Sequence, residues 1–201
     1  MTVPREGEVV IRVHQPAFKE KFFFFLSGII SSVPLTLFVS QFTDALVSSW
    51  PTLDAVLFAS VIFAPFMEEF AKAFPLLYRH GETVRSIFIL GLLVGLGFGL
   101  VEFLLYVFVL GVPFIFRLPA VLFHTASTSI TAYGIATKRA PMFYLIAVAL
   151  HFANNFSAFA QSLIDSNAEF GPWSIGVYGV MFTTLYLSYW LYGKTSEKIA
   201  T

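Results

Sequence analysis

The sequence predicts an all-α integral membrane protein, a six-span helical bundle with both termini in the cytoplasm. Its composition is the first reason: 57% of the 201 residues are hydrophobic and only 12% are charged, about half of the roughly 25% charged residues of soluble domains. The second reason is six long apolar stretches, each near the roughly 20 residues that a helix needs to cross the hydrocarbon core. The third is the placement of the basic residues between these stretches.

The apolar stretches divide the chain into spans and short connections. The spans are expected at 22–42, 55–78, 86–110, 118–137, 141–163 and 173–192. Short connections favour an antiparallel, up-and-down bundle. Each stretch is apolar on all faces, so helical periodicity does not show which face contacts lipid. We therefore expect a cytoplasmic arm at 1–21, a single transmembrane domain at 22–192 and a cytoplasmic tail at 193–201.

The charges predict the orientation of the bundle. One set of connections and termini carries the basic residues Arg5, Arg12, Lys19, Lys21, Arg79, Arg85, Lys138, Arg139, Lys194 and Lys198. The opposite set carries one basic residue, Arg117, and the acidic residues Asp44, Asp54, Asp165 and Glu169. By the positive-inside rule, both termini face the cytoplasm. The chain has no Lys/Arg-rich patch, so no nucleic-acid partner is expected.

Six ionisable side chains interrupt four of the predicted spans: Glu68, Glu69, Lys72, Glu102, His124 and His151. A charge near the bilayer centre costs at least a few kcal/mol, so such residues usually face a protein interior or a watery cavity. One buried cluster can satisfy all of them together. Carboxylates and imidazoles gathered in a membrane cavity indicate chemistry rather than packing alone.

The second span contains a pair of glutamates between two prolines, Pro65 and Pro75. Glu68 and Lys72 are four residues apart, so they share a helix face in the favourable order for an ion pair. Glu69 points about 100° away from Glu68 on a helix of 3.6 residues per turn. A neutralised structural pair explains one glutamate but not two. We expect one to hold the helix and the other to face the reaction space.

Several catalytic mechanisms are excluded because the chain lacks the residues or motifs that they need. The chain has no cysteine, no G-x-S-x-G and no H-E-x-x-H, and its aspartates lie in connections. What remains is glutamate and histidine acting on water, with a carboxylate as general base. Zinc could assist, held by Glu102, His124 and His151, although a metal-free mechanism fits the same residues. Asn155, on the face of His151, could donate to a developing oxyanion.

Four motifs occur in order on consecutive spans. They are E-E-x-x-K at Glu68–Lys72, F-x-x-x-E at Phe98–Glu102, His124 in a helix of small and hydroxyl residues that reaches Gly134, and H-x-x-x-N at His151–Asn155. The set resembles the PrsW family of intramembrane proteases, part of a superfamily with the CAAX prenyl endopeptidases and the bacteriocin-processing enzymes. The prenyl endopeptidases usually carry an arginine after the paired glutamates and a histidine where Glu102 stands. Lys72 and Glu102 therefore favour the PrsW branch.

The resemblance implies an endopeptidase that hydrolyses a membrane-tethered protein substrate in a prokaryotic cell membrane, with 22–192 as the catalytic domain. We assign Glu68 as the base that activates water, with Glu69 and Lys72 setting its orientation and charge. The residues that complete the water or metal site are then Glu102, His124, His151 and Asn155. Two other classes stay open: a proton-coupled transporter or channel, since membrane Glu and His residues also relay protons, and a non-catalytic scaffold of the same fold.

One length argument stands against a single site. At about 1.5 Å per residue, Glu68 lies nearer the cytoplasmic side and Glu102 nearer the outer side. They meet only if the helices are tilted, bent at Pro65 or displaced by the glycine-rich third span. Otherwise Glu68 and Lys72 form one subsite, and Glu102 forms another with the histidines.

Overall fold

The computed structural model describes residues 14–78, 83–164 and 172–195, and in this part of the chain the regular structure is helical, without strands. The helices are α1 (Phe18–Val47), α2 (Thr52–Val56), α3 (Ala64–Leu77), α4 (Val84–Leu104), α5 (Phe114–Ala136), α6 (Ala140–Ile164) and α7 (Pro172–Tyr192). Two π-helical segments accompany them: Leu57–Phe63 joins α2 to α3, and Leu105–Val109 extends α4. The predicted all-α fold is confirmed; the π-helical segments were not predicted.

Three helical stretches are long and apolar enough to cross a membrane: Phe18–Val47, Val84–Val109 and Ala140–Leu163. They support an integral membrane protein. The second, fourth and sixth predicted spans are also helical, at α2–α3, α5 and α7, but do not meet the same criterion of length and apolarity in the described residues. The six-span count and the orientation of the termini stay predictions. Several charges behind that orientation lie outside the described residues: Arg5, Arg12, Arg79, Lys198, Asp165 and Glu169.

The centre of the bundle is the pair α4 and α5, which pack along each other. Helix α1 covers the other side of α4, while α6 and α7 pack against α5. One apolar core is shared by helices α1, α3, α4 and α5 and includes Phe24, Leu76, Leu90 and Ala132. Helix α3 contacts α1, α4, α5 and α6. It therefore stands where charged side chains on its inner face are enclosed by the rest of the bundle.

Glycines allow the central helices to approach very closely. A Cβ added at Gly95 of α4 would lie against the backbone oxygen of His124, and 2.8 Å from both Thr125 Cα and Thr128 Oγ1. Backbone atoms of the neighbouring helix cannot yield as a side chain can. Small residues at such contacts let two membrane helices pack backbone to backbone.

Replacing Gly95 with alanine is expected to separate α4 from α5 and to destabilise the protein by about 1–3 kcal/mol, the usual cost of overpacking. The measurement is thermal unfolding in detergent. Gly179→Ala on α7 is the matched control, because its added Cβ would meet no heavy atom within 4 Å. Equal melting temperatures for the two variants would show that the central contact tolerates a wider spacing.

Candidate functional site

A cavity of about 560 Å³ opens inside the bundle. Its walls come from α1, the π-helical segment before α3, α3 itself, α4 with its extension, α5 and α6. The polar side chains that line it include Glu68, Glu102, Tyr106, Arg117, His124, His151, Asn154 and Asn155. Predicted site residues from four separate spans therefore meet at one cavity.

The floor of the site is a completely buried ion pair. Glu69 and Lys72 are both 0% exposed, and the ammonium of Lys72 donates to Glu69 Oε1 at 2.6 Å. The hydroxyl of Ser127 donates to the same carboxylate oxygen at 3.2 Å. The sequence analysis had put Lys72 on the helix face of Glu68, in the order that favours an ion pair. In the structure, Lys72 forms its ion pair with Glu69. Residues three apart also share a helix face, and this face is the one turned into the bundle.

His151 lies between the two glutamates. Its Nδ1 is 2.9 Å from Glu69 Oε1, and its Nε2 is 3.7 Å from Glu68 Oε2. An ionised carboxylate only accepts hydrogen bonds, so we assign the proton to Nδ1, which donates to Glu69. The lone pair of Nε2 then faces Glu68, whose side chain is 18% exposed in the cavity. A carboxylate behind a histidine in this way is the usual orienting partner of a catalytic or metal-binding imidazole.

His124 is engaged through both ring nitrogens. Its Nδ1 lies 2.9 Å from the ammonium of Lys72, and its Nε2 contacts Glu102 Oε2. Because an ammonium group can only donate, Nδ1 is the acceptor, and the proton of the ring is assigned to Nε2, the nitrogen in contact with Glu102. The ring also packs against Phe98, at 5.3 Å between centroids. The first two motifs of the sequence thus meet at His124.

Glu102 is paired with a cation, Arg117, which the sequence analysis did not assign to the site. Arg117 of α5 donates to Glu102 Oε1, and its guanidinium lies 3.7 Å from the ring centroid of Tyr106. The available signal was that Arg117 is the one basic residue among the predicted outer connections. It neutralises a carboxylate that was expected to contact a histidine or a metal, so Glu102 contacts both a cation, Arg117, and a histidine, His124.

The length argument against a single site fails. The imidazole rings of His124 and His151 are 5.2 Å apart. Glu68 lies beside one ring and Glu102 beside the other, around a common cavity. The two-subsite arrangement is therefore not what the structure shows.

Three side chains are placed to hold a metal ion: Glu68, His124 and His151, with one donor atom from each within 4.8 Å of the others. Two imidazoles and one carboxylate are an established zinc set, with bonds of about 2.0–2.2 Å. The donors fit zinc in type and number. Binding through His124 Nε2 would require the three donor atoms to draw closer, Nε2 to release Glu102, and the ring proton to move to Nδ1, which could then no longer accept from Lys72. The sequence analysis had expected Glu102 as the carboxylate ligand, whereas the structure groups Glu68 with the two histidines.

Asn155, the residue expected to assist an oxyanion, is held by the protein. Its Nδ2 donates to the backbone carbonyl of Ser60 at 2.9 Å. The neighbouring Asn154 also lines the cavity, and its Nδ2 is 3.4 Å from Asn155 Oδ1. The Nδ2 of Asn155 therefore donates to a backbone carbonyl, whereas that of Asn154 contacts only the side chain of Asn155 in the described residues.

The helices surround a cavity of carboxylates and imidazoles, an arrangement that suits a hydrolase embedded in a membrane. Comparison with protein families identifies the family within that class. A sequence model described as "PrsW family intramembrane metalloprotease" matches residues 19–188, most of the chain. The chain belongs to the PrsW family, and the resemblance seen in its motifs is confirmed. Searches of curated proteins and of solved structures found no significant match.

Proposed function

We propose that this protein is an intramembrane endopeptidase that hydrolyses a membrane-tethered protein substrate, through a six-span bundle with both termini in the cytoplasm. The observation that carries the proposal is the convergence of Glu68 and the free nitrogen of His151 on one cavity, 3.7 Å apart. A general base and an imidazole at this separation can share one water molecule. Family membership implies the same class of activity.

In the metal-free mechanism Glu68 takes the proton from the attacking water. Both Glu68 and Glu102 line the cavity, but Glu102 is paired with Arg117, whereas Glu68 has no directly paired cation among the described residues. His151 orients that water, and Glu69 holds the His151 ring in place from behind at 2.9 Å. Lys72 neutralises the charge of Glu69, so this buried pair adds no net charge to the site. Glu102 and Arg117 form a neutral pair that supports His124 from the opposite side.

Zinc, if bound, would be held by Glu68, His124 and His151. A metal ion there supplies Lewis-acid activation of water and polarisation of the scissile carbonyl. In that case Glu102 is a supporting residue rather than a ligand, because Arg117 and His124 already occupy its two oxygens. The two ligand sets, with Glu68 or with Glu102, make different predictions.

Metal analysis of purified, unchelated protein separates them. In a metal-dependent mechanism we expect about one zinc per chain, lost in His124→Ala, His151→Ala and Glu68→Gln and retained in Glu102→Gln, since only the first three remove a donor of the proposed set. Glu68 would then be a metal ligand, and its role as the base belongs to the metal-free mechanism. Zinc lost in Glu102→Gln but retained in Glu68→Gln would restore the ligand set expected from the sequence.

The same preparations test the activity in liposomes that contain membrane-tethered reporter peptides. Cleavage that stops in His151→Ala supports the protease. Cleavage without any bound metal would support the glutamate mechanism alone. Proton-dependent flux without cleavage would indicate a transporter. Neither cleavage nor flux, with stable partners that bind Glu68→Gln equally well, would indicate a scaffold.

A further inference from the structure

The cavity contains a carboxylate that the proposed mechanism does not use. Among the described residues that line it are three carboxylates, Asp44, Glu68 and Glu102, and one cationic side chain, Arg117. Arg117 is paired with Glu102, and Glu68 is the base or a metal ligand in the function proposed above. Asp44 of α1 forms no ion pair or hydrogen bond within the described part of the chain. It is therefore available to a group that enters the cavity.

Asp44 is held at the cavity wall by the face that α1 turns inward. Val39, Thr43 and Val47 recur every four residues on that face, and all three are buried. The hydroxyl of Thr43 donates to the carbonyl of Val39 at 2.6 Å. Asp44 follows Thr43 by one residue, about 100° around the helix, where it is exposed and still lines the cavity. The carboxylate therefore lies at the accessible edge of the cavity.

The position of Asp44 within its helix is unfavourable for a negative charge. It lies in the last turn of α1, which ends at Val47 and has no basic residue in that turn. The carbonyls at the C-terminal end of a helix carry partial negative charge, so they favour cations and disfavour carboxylates. Asp54, by contrast, lies in the first turn of α2, where a carboxylate is favoured. The helix does not compensate the charge of Asp44, whereas a bound cation would.

The net charge of the cavity lining favours the same kind of ligand. The pair of Glu102 and Arg117 is neutral, and the ring protons assigned above leave both imidazoles neutral. Asp44 and Glu68 therefore give the lining two negative charges with no cation paired to them in the described residues. A cleft with charge of one sign attracts ligands of the opposite sign. If Glu68 binds a metal ion, the charge of Asp44 remains.

We propose that Asp44 is a specificity residue that binds a lysine or arginine side chain of the substrate. The proposal rests on the protease function proposed above and names the class of side chain that the same cavity accepts. One carboxylate offers too few ligands for a free metal ion such as Ca²⁺, but it can accept from a single ammonium or guanidinium group. Cavity walls formed by Ala59, Val61 and Ala158 can contact the methylene stem of such a side chain.

Asp44 is expected to act on binding rather than on the chemical step. It lies on α1, whereas the base and the two imidazoles lie on α3, α5 and α6. A contact that is equally strong in the ground state and in the transition state lowers KM and leaves kcat unchanged. The role of Asp44 therefore predicts a split between the two kinetic constants.

The test uses membrane-tethered reporters that differ in one residue near the scissile bond, which is lysine, glutamine or glutamate. Full-length wild type in liposomes should cleave the lysine reporter with a kcat/KM about tenfold above that for the glutamine reporter, as for a hydrogen bond between charged groups. The glutamate reporter should be the poorest of the three. The lysine is moved through the positions on each side of the bond, and the preference should occur at one or two of them.

Asp44→Asn keeps the size of the side chain and should remove the preference, through a higher KM for the lysine reporter at an unchanged kcat. Asp44→Lys should reverse it, because the new ammonium repels lysine and attracts glutamate. Asp54→Asn and Asp54→Lys are the matched controls, since Asp54 is also exposed but is not among the residues that line the cavity. Both should keep the wild-type preference, and all four variants should keep the wild-type melting temperature.

A binding measurement separates this inference from the proposed function. Fluorescence anisotropy of labelled lysine, glutamine and glutamate peptides, with wild type and Asp44→Asn in detergent, requires no cleavage. If the wild type cleaves no reporter but binds the lysine peptide about tenfold more tightly than the glutamine peptide, and Asp44→Asn loses that difference, the proposed function falls while the site for a basic side chain stands. An unchanged preference in Asp44→Asn, with cleavage intact, would overturn the role of Asp44 alone. An equal loss of preference in Asp54→Asn would overturn it too, because the preference would then come from the overall charge of the surface.

Discussion

Glu68→Gln is expected to lower kcat for a membrane-tethered reporter by about 10²–10⁴-fold, the range for loss of a general base. The amide keeps the size of the side chain but cannot take a proton from water. The fold should survive, because Glu68 lines the cavity at 18% exposure and its contact with His151 is a long one, 3.7 Å. Cleavage assays and thermal unfolding of the same preparation measure both effects.

Asp54→Asn is the control for this substitution, since it makes the same chemical change at an exposed carboxylate on α2. It should leave kcat and stability close to those of the wild type. Retention of more than a tenth of the turnover in Glu68→Gln would exclude Glu68 as the base. A large fall in melting temperature would instead assign it a structural role.

Lys72→Met is expected to have the largest effect on stability, a loss of about 3–5 kcal/mol, because it leaves the carboxylate of Glu69 buried without its cation. The two side chains are 0% exposed and 2.6 Å apart. Glu69→Gln should cost a similar amount by leaving the Lys72 ammonium unpaired. Chemical unfolding in detergent, monitored by circular dichroism, measures the free energy of unfolding of the wild type and of the two variants.

The double variant Glu69→Gln with Lys72→Met is the decisive comparison. Each single variant leaves one buried charge without its partner, whereas the double variant leaves none. We therefore expect the double variant to lose much less free energy of unfolding than the sum of the two single losses. Additive losses would show that the pair is not coupled. The double variant should have lower activity than the wild type, because the neutral glutamine accepts from His151 Nδ1 more weakly than a carboxylate does.

The candidate residues were identifiable from the sequence because ionisable side chains in an apolar span are expensive. Glu68, Glu102, His124 and His151 all line the cavity that the structure shows. Their partners were less predictable. Helical spacing allowed Lys72 to face Glu68 at four residues or Glu69 at three, and only packing against α5 and α6 chose Glu69.

The π-helical segments show the same limit. Pro65 indicated a bend in the second span, yet which carbonyl would lose its donor depended on the register of the turn before it. That register left Ser60 to be satisfied by a side chain from α6. Asn155 therefore has a partner that no pattern within its own helix could reveal.

The sequence by itself determined the helical class, the apolar surroundings and the set of side chains that must be buried together. These follow from composition and from the cost of charge in lipid, which are local properties of each span. The tertiary structure decided the pairing: Lys72 with Glu69, Arg117 with Glu102, and Asn155 with Ser60. Spans that are apolar on every face contain no signal of their own rotation, so only the contacts among helices select the face that each one turns inward.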